Sequence, residues 1–215
     1  MPDLSEPEAL RIMFRMCTLG VVIAAAALAL VGCDGQHPSK EEVRVNALAV
    51  GLATQIKGVG IDSEKARKSR QVLEGELDNL YADTVSLERL VRAARAGEST
   101  DWCGRDLDEI RARPDYEALS LVPQIQHGTM ADYSLAVDSL NAELSALETT
   151  ERALATASRR AGGYRGQAPS PSRIVLARAA VVQAETALKD ARRQLRNLKQ
   201  RLDRSAISVR AICGS

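Results

Sequence analysis

The last 42 residues of the chain carry the pattern that most restricts its fold, an apolar stripe whose steps alternate between three and four residues. Only Ser205 interrupts this stripe. Such spacing is a heptad seam, and it requires a long helix packed against other helices. The predicted helix covers residues 173 to 212 and would be about 60 Å long. The stripe is formed by Ile174, Ala177, Val181, Ala184, Leu188, Ala191, Leu195, Leu198, Leu202, Ser205, Val209 and Ile212.

Two earlier stretches have the same spacing and predict two more long helices. Thr129 and Asp132 form a helix start signal in front of the later one. The later stripe consists of Tyr133, Val137, Leu140, Leu144, Leu147, Glu151 and Leu154. The earlier stripe consists of Leu73, Leu77, Leu80, Thr84, Leu87, Val91 and Ala94.

The earlier stripe extends more weakly toward the N-terminus, where Gly58-Val59-Gly60 is predicted to interrupt the helix. Asp62 could cap the restarted helix, and Ser39 with Glu42 could cap the segment before the interruption. The weaker stripe consists of Val45, Ala49, Leu52, Ile56 and Val59.

Turn-forming residues separate the long helices. Pro114, Pro123 and Gly128 fall within 97–129, which we interpret as a loop region with short helices. The stretch from Ala161 to Ser172 is rich in Gly, Pro and Ser and predicts a turn between antiparallel helices. Aromatic residues make up only 3% of the chain, a composition typical of long helices rather than strands. The predicted fold is all-α: an elongated antiparallel three-helix bundle or coiled coil with a short loop-and-helix insertion, in which long helices cover about 62–96, 130–160 and 173–212 of a domain spanning 39–215.

The N-terminal residues predict an export signal. Arg11 and Arg15 precede an almost wholly apolar, Ala-rich run from Met16 to Leu30. A charged segment, an apolar run and a small residue before a cut site form the layout of a signal peptide. The closing residues, Leu30-Val31-Gly32-Cys33, resemble the lipobox of bacterial lipoproteins. An uncleaved membrane anchor and a buried core helix are the alternatives, and Met13 or Met16 could be the true start.

The lipobox resemblance implies that residues 1–32 are removed and that the Cys33 sulfur carries a diacylglycerol. Residues 33–38 would then be a tether, with a reach of about 17 Å, on the periplasmic side of a cell membrane. Asp34 directly follows the lipidated position and resembles the inner-membrane retention signal of enteric bacteria. The resemblance therefore favours the inner membrane over the outer membrane.

The predicted signal peptide and the predicted helices together indicate a role for each of the four cysteines. Cys17 lies within the signal peptide and Cys33 would be lipidated, which leaves Cys103 and Cys213. If the three long helices alternate in direction, Cys103 follows the first and Cys213 ends the third, so both reach the same end of the bundle. A disulfide between them would persist in an oxidising compartment. Two unrelated free thiols are the alternative.

Removal of residues 1–32 leaves a nearly neutral chain, so its net charge would not attract nucleic acid. The charged residues are nevertheless distributed unevenly between the predicted helices. The last helix is basic and the middle helix is acidic. The basic run could form a surface for anionic lipid heads or nucleic acid. We favour acid-to-base matching between these two antiparallel helices. The basic residues are Lys189, Arg192, Arg193, Arg196, Lys199, Arg201, Arg204 and Arg210, and the acidic ones are Asp132, Asp138, Glu143, Glu148 and Glu151.

No residue pattern indicates catalysis, a metal site or a cofactor. His37 and His127 have no partner at ligand spacing. The glycine-rich residues 162–166 do not follow a strand and lack the Lys-Ser or Lys-Thr pair of a phosphate loop. Trp102, beside Cys103, could cover a disulfide, or it could form a contact surface if exposed. The candidate contact residues are Trp102, Tyr164 and Arg165.

Residues 131–212 resemble the coiled-coil hairpin of periplasmic adaptor (membrane-fusion) proteins of efflux pumps and type I secretion systems. The segment from Leu176 to Leu202 is similar to the returning helix of that hairpin, and Leu202-Asp-Arg-Ser-Ala-Ile207 resembles its re-entry into a lipoyl-like half-barrel. In that case residues 205–212 would form a strand, because Ile207, Val209 and Ala211 alternate. Ser205, Val209 and Ile212 instead continue the heptad, and we predict a helix there.

These observations together predict a lipid-anchored cell-envelope protein that acts as a non-catalytic helical scaffold or docking module near a membrane. Its expected partners are the membrane, through the lipid on Cys33, and a protein bound through its helices. Three other classes stay open: a divergent or truncated adaptor subunit, a self-associating coiled coil, and an enzyme.

Overall fold

The computed structural model describes residues 39–98, 100–104, 107–162 and 171–214, and every regular element in those ranges is helical. The fold is an all-α helical bundle, as predicted. Its three long helices are α1 (Lys40–Arg95), α4 (Thr129–Arg160) and α5 (Pro171–Cys213). A 3₁₀ turn (Asp101–Cys103), α2 (Leu107–Arg111) and α3 (Pro114–His127) lie between α1 and α4.

Helix α1 is uninterrupted, so the predicted break at Gly58-Val59-Gly60 is wrong. Val59 is buried at 3% exposure, and its burial helps to offset the cost of about 1 kcal/mol that a glycine imposes on a helix. Gly58 faces α4, where an added Cβ would lie 3.3 Å from Oε2 of Glu143. Asp62 is not a cap: it lies inside α1 and accepts a hydrogen bond of 2.9 Å from the Ser139 hydroxyl of α4.

Both ends of α1 are capped. The Ser39 hydroxyl accepts a hydrogen bond from the Glu42 N–H (3.2 Å), and the Glu42 carboxylate accepts one from the Ser39 N–H (2.7 Å). This reciprocal arrangement is the predicted capping box. At the other end Gly97 has a φ of 87°, and the Glu98 N–H donates to the Ala93 carbonyl oxygen. Because only glycine adopts that conformation readily, the helix stops where the sequence predicted.

The chain divides into two compact units. The first contains residues 1–54 and 148–169, and its described part consists of the start of α1 and the end of α4. It buries Val45, Ala49, Leu52, Leu154 and Ala157. The second unit contains residues 55–147 and 170–215, and it includes the short elements, α5 and the larger parts of α1 and α4.

Within the second unit, side-chain contacts fix the directions of the long helices. Residue numbers rise together in the pairs between α1 and α5, so these helices run parallel. One number falls as the other rises in the pairs between α4 and α5, so α4 is antiparallel to α5. The pairs are Glu88–Arg201 and Arg95–Ser208 for α1 and α5, and Ser134–Arg192 and Asn141–Glu185 for α4 and α5.

The predicted seams form the core. On α5 every seam residue from Ile174 to Val209 is buried, including Ser205 at 6% exposure. Two polar groups in the seams of the other helices are satisfied by backbone. The Thr84 hydroxyl donates to the Leu80 carbonyl, and the buried Tyr133 hydroxyl donates to the Ala184 carbonyl of α5 at 2.9 Å. The alternative of a strand over 205–212 is wrong, because α5 continues to Cys213.

The insertion between α1 and α4 is more helical than predicted. Pro114 occupies the first turn of α3, where its missing N–H is not needed. Pro123 was expected to interrupt the helical structure, but it lies inside the same helix. Ala118, Val122 and Ile125 form the buried stripe of α3, which packs against α5.

Candidate docking groove

A groove opens in the second unit where α3 meets α4. The two helices are separated by Gly128 alone, and its N–H donates to the Gln124 carbonyl at 2.8 Å. A Cβ on Gly128 would lie 2.6 Å from that same oxygen, closer than real atoms approach. Only glycine therefore fits this junction. The chain leaves the axis of α3 here and starts α4 at once, so side chains from both helices line the same opening.

The walls of this groove come from three helices. Its volume is about 750 Å³, within the usual range for binding sites. The apolar part combines one buried residue from each helix with Leu135, which is 67% exposed although it is large and apolar. The lining residues are Val122 and Gln126 of α3, Met130, Ala131, Ser134 and Leu135 of α4, and Arg192, Leu195, Arg196 and Lys199 of α5.

The rim that α5 contributes is positively charged. Arg192 donates a hydrogen bond of 3.0 Å to the Ser134 hydroxyl across the groove. Arg196 and Lys199 are exposed and make no hydrogen bond or ion pair with any residue that the structure describes. The described lining contains no acidic side chain. The groove is thus an apolar floor beside uncompensated positive charge.

Another basic residue of α5, Arg201, contacts α1 rather than the groove. The Arg201 guanidinium donates two hydrogen bonds, each 2.9 Å, to the Glu88 carboxylate of α1, and it lies 5.4 Å from the ring centre of Tyr81. Its hydrogen bond holds the pKa of Glu88 below the ordinary value of 4.5. For Arg201 the acidic partner is therefore on α1, whereas the charge pattern predicted α4. Part of the basic run is structural, and another part faces the groove.

The structure brings the two predicted cysteines together. The Sγ atoms of Cys103 and Cys213 are 2.04 Å apart and their Cα atoms are 5.3 Å apart, which is disulfide geometry. Trp102 lies in the 3₁₀ turn directly beside this bridge and is half-buried. Its role as a contact residue stays a prediction.

Three other predicted site residues lie outside the described residues. They are Cys33, the predicted lipidation site, and Tyr164 and Arg165, the remaining candidates for a contact surface. Two predictions therefore stay predictions: a lipid on Cys33 and a contact made by the turn after α4.

Two buried polar side chains of the second unit, Tyr133 and Asp62, are held by hydrogen bonds to their neighbours. Burial raises the pKa of Tyr133, and its hydroxyl is held by the Ala184 carbonyl. Asp62 also accepts a hydrogen bond of 2.9 Å from Lys65. Within the described ranges, no group of three or more His, Cys, Asp and Glu side chains is placed to hold a metal ion.

Sequence reasoning found the basic residues of the groove but not the groove itself. Leu135 lies two residues after Tyr133, outside the heptad seam, and an apolar residue off the seam is the signal that was available. Gly128 was recognised as a break. Its effect could not be foreseen, because periodicity does not show that α3 continues almost directly into α4.

No family model matches this chain, and no curated protein or solved structure matches it either. None of the described helices combines the length and apolarity that crossing a bilayer requires.

Proposed function

We propose that this chain is a lipid-anchored cell-envelope protein that acts as a non-catalytic helical scaffold and docks a partner protein near a membrane. The observation that carries the proposal is the groove at the α3–α4 junction, which leaves Leu135 exposed and Arg196 and Lys199 uncompensated. Apolar surface rimmed by charge is typical of interaction sites. Two of the long helices, α4 and α5, carry most of this surface.

The anchoring part of the proposal is supported by the sequence Leu30-Val31-Gly32-Cys33 at the end of an apolar run. The disulfide geometry of Cys103 and Cys213 agrees with an oxidising, extracytoplasmic location. We assign the protein to the periplasmic side of a cell membrane, with the inner membrane favoured by Asp34.

The substitution Cys33→Ser tests the anchor. Membrane fractionation and metabolic labelling with a fatty acid are compared between the variant and the parent chain, with Cys17→Ser as the matched control. The parent and Cys17→Ser should be labelled and sediment with membranes, whereas Cys33→Ser should lose the label. Unchanged labelling and membrane association in Cys33→Ser would show that Cys33 is not the anchor.

A photo-crosslinking amino acid at Leu135 tests the docking surface in intact cells. The control places the same group at Val72, which is 56% exposed on α1. A discrete crosslinked partner is expected from position 135 and not from position 72. Equal crosslinking from both positions, or none from position 135, contradicts docking at the groove.

A divergent or truncated periplasmic adaptor is the second candidate. It is favoured by the antiparallel pairing of α4 with α5, seen in the Ser134–Arg192 and Asn141–Glu185 contacts. The helical conformation of residues 205–212 weighs against it, because the resemblance implies a strand there. Crosslinking from position 135 to an efflux or secretion component would favour this candidate.

A further inference from the structure

The three cations of the groove form a row along one face of α5. Arg192, Arg196 and Lys199 are spaced by four and then three residues, so they rise by about 6 Å and about 4.5 Å along the helix. Leu195 lies beside the row and is buried at 7% exposure. A ligand that fits this rim must present several negative charges in a line and apolar surface next to them.

A single phosphate or carboxylate does not match that row. A compact anion is held best by donors that converge on one point, as in bidentate guanidinium sites. Here Arg192 is already turned toward Ser134 by a 3.0 Å hydrogen bond, and Lys199 lies about 10 Å farther along the helix axis. The described polar groups of the groove therefore do not form one cradle for a headgroup.

A second helix matches the row in both spacing and character. Carboxylates at i, i+4 and i+7 of a helix parallel to α5, or at i, i+3 and i+7 of an antiparallel one, have the same rise as the three cations. Such a helix would place small or apolar residues over Met130, Ala131 and Leu195 while its acidic side faces the rim. Helix-in-groove binding of this kind is a common mode of peptide recognition.

We propose that the groove binds an acidic amphipathic helix of a partner protein, which packs between α4 and α5 with its carboxylates facing Arg192, Arg196 and Lys199. This inference rests on the proposed docking function and specifies the chemistry of the docked partner. Because the rim is charged, binding weakens as salt concentration rises.

Two synthetic helical peptides test the inference with the protein as purified from membranes and reconstituted in phosphatidylcholine nanodiscs. One peptide carries Glu at i, i+3, i+4 and i+7 beside Leu and Ala, and the other carries Lys at the same positions. Fluorescence anisotropy should show binding of the Glu peptide at least about tenfold tighter than that of the Lys peptide, since four attractive charges are exchanged for repulsive ones. Equal affinities would overturn the inference.

The double substitution Arg196→Glu/Lys199→Glu should reverse this order, so that the Lys peptide binds more tightly. That gain of binding also shows that the variant is folded. The matched control is Lys57→Glu/Arg89→Glu, which makes the same change in net charge at exposed α1 positions outside the groove. An equal loss of Glu-peptide binding in the control would mean that only net charge matters, and the groove assignment would be wrong.

Two further outcomes assign the groove to another occupant and overturn the inference. One is sedimentation of the chain with phosphatidylglycerol vesicles, lost in Arg196→Glu/Lys199→Glu, without tighter binding of the Glu peptide than of the Lys peptide, which would assign the rim to lipid. The other is a concentration-dependent mass that this variant abolishes, which would assign the groove to a second copy of the chain. The crosslinking and Cys33→Ser experiments use neither peptide, so docking and anchoring can hold even if the partner is not an acidic helix.

Discussion

The long helices and the short segment from Asp101 to Gly128 are stabilised in different ways. The long helices bury continuous apolar seams in which many side chains each contribute a little, and seven of the largest fully buried residues are leucines of α1, α4 and α5. The short segment has only the short apolar stripe of α3 and depends more on individual features: one disulfide, one buried ion pair and two glycines, Gly104 and Gly128, at which an added Cβ would clash with the backbone. Many side chains share the stabilisation of a seam, whereas the disulfide, the ion pair and the glycine turns each have no substitute. Removing one special contact should therefore have a larger effect than removing one surface contact between the long helices.

The largest effect is expected from loss of the disulfide. The bridge between Cys103 and Cys213 closes a separation of 110 residues. In the chain-entropy model a loop of this size contributes about 4 to 5 kcal/mol to stability. Cys103→Ser/Cys213→Ser should lower the urea midpoint of unfolding, measured by far-UV circular dichroism, and a reductant should lower it similarly in the parent chain. A reductant should leave the double variant unchanged; an unaltered parent midpoint would show that the bridge is not formed.

The buried ion pair at the start of α3 comes next. Arg113 donates to both Asp115 carboxylate oxygens at 3.0 and 3.1 Å, and the two side chains are only 12% and 6% exposed. Asp115→Ala should destabilise the fold by about 3 kcal/mol, because it leaves a buried guanidinium without its counter-charge. Arg113→Met/Asp115→Leu should recover most of that loss in the same urea measurement. A double variant no more stable than Asp115→Ala would mean that packing, not charge, explains the effect.

Gly128→Ala tests the junction that opens the groove. The new Cβ would lie 2.6 Å from the Gln124 carbonyl oxygen, and the backbone fixes the positions of both atoms, so α3 or α4 must move. We expect destabilisation of about 1 to 3 kcal/mol and weaker binding of the Glu peptide. Unchanged stability together with unchanged binding would show that this junction does not shape the groove.

The same substitution on α1 should have the opposite sign. Gly60 lies in the middle of α1, and a Cβ added there meets no atom within 4 Å. Because alanine favours helix over glycine by about 1 kcal/mol, Gly60→Ala should raise the free energy of unfolding by about that amount. A decrease in the urea midpoint would mean that α1 needs flexibility at this position. Gly60→Ala is also the matched control for Gly128→Ala.

A comparison of the glycines shows which features of the fold could be predicted from the sequence. The seams, the capping box at Ser39 and the stop at Gly97 were predictable, because each depends on residues close together in sequence or on a repeated spacing. Gly58 and Gly128 looked alike as helix breakers. One lies inside a continuous helix and the other ends one, and the difference depends on packing against α4 and on the Gln124 carbonyl. The contact between Gly128 and Gln124 is local, but it depends on the backbone angles at Gly128, which the residue types alone do not specify.

The smallest effect is expected at the ion pair that joins the two parallel seams. The Glu88 and Arg201 side chains are about one third exposed (32% and 34%), so solvent screens their attraction and the contribution is below about 1 kcal/mol. The hydrogen bond from Arg201 lowers the pKa of Glu88 in the folded chain below 4.5. The stabilising contribution is therefore fully present above that ordinary value, and it is lost as the pH falls through the lower folded pKa.

The difference in urea midpoint between the parent and Glu88→Gln should be present at neutral pH and vanish in acid. Glu98→Gln, at an exposed position beyond α1, is the control. If the difference in urea midpoint caused by Glu88→Gln did not change with pH, the Glu88 side chain would stabilise the fold by packing on α5 rather than by its charge. The contact would then resemble the many apolar contacts of the long helices.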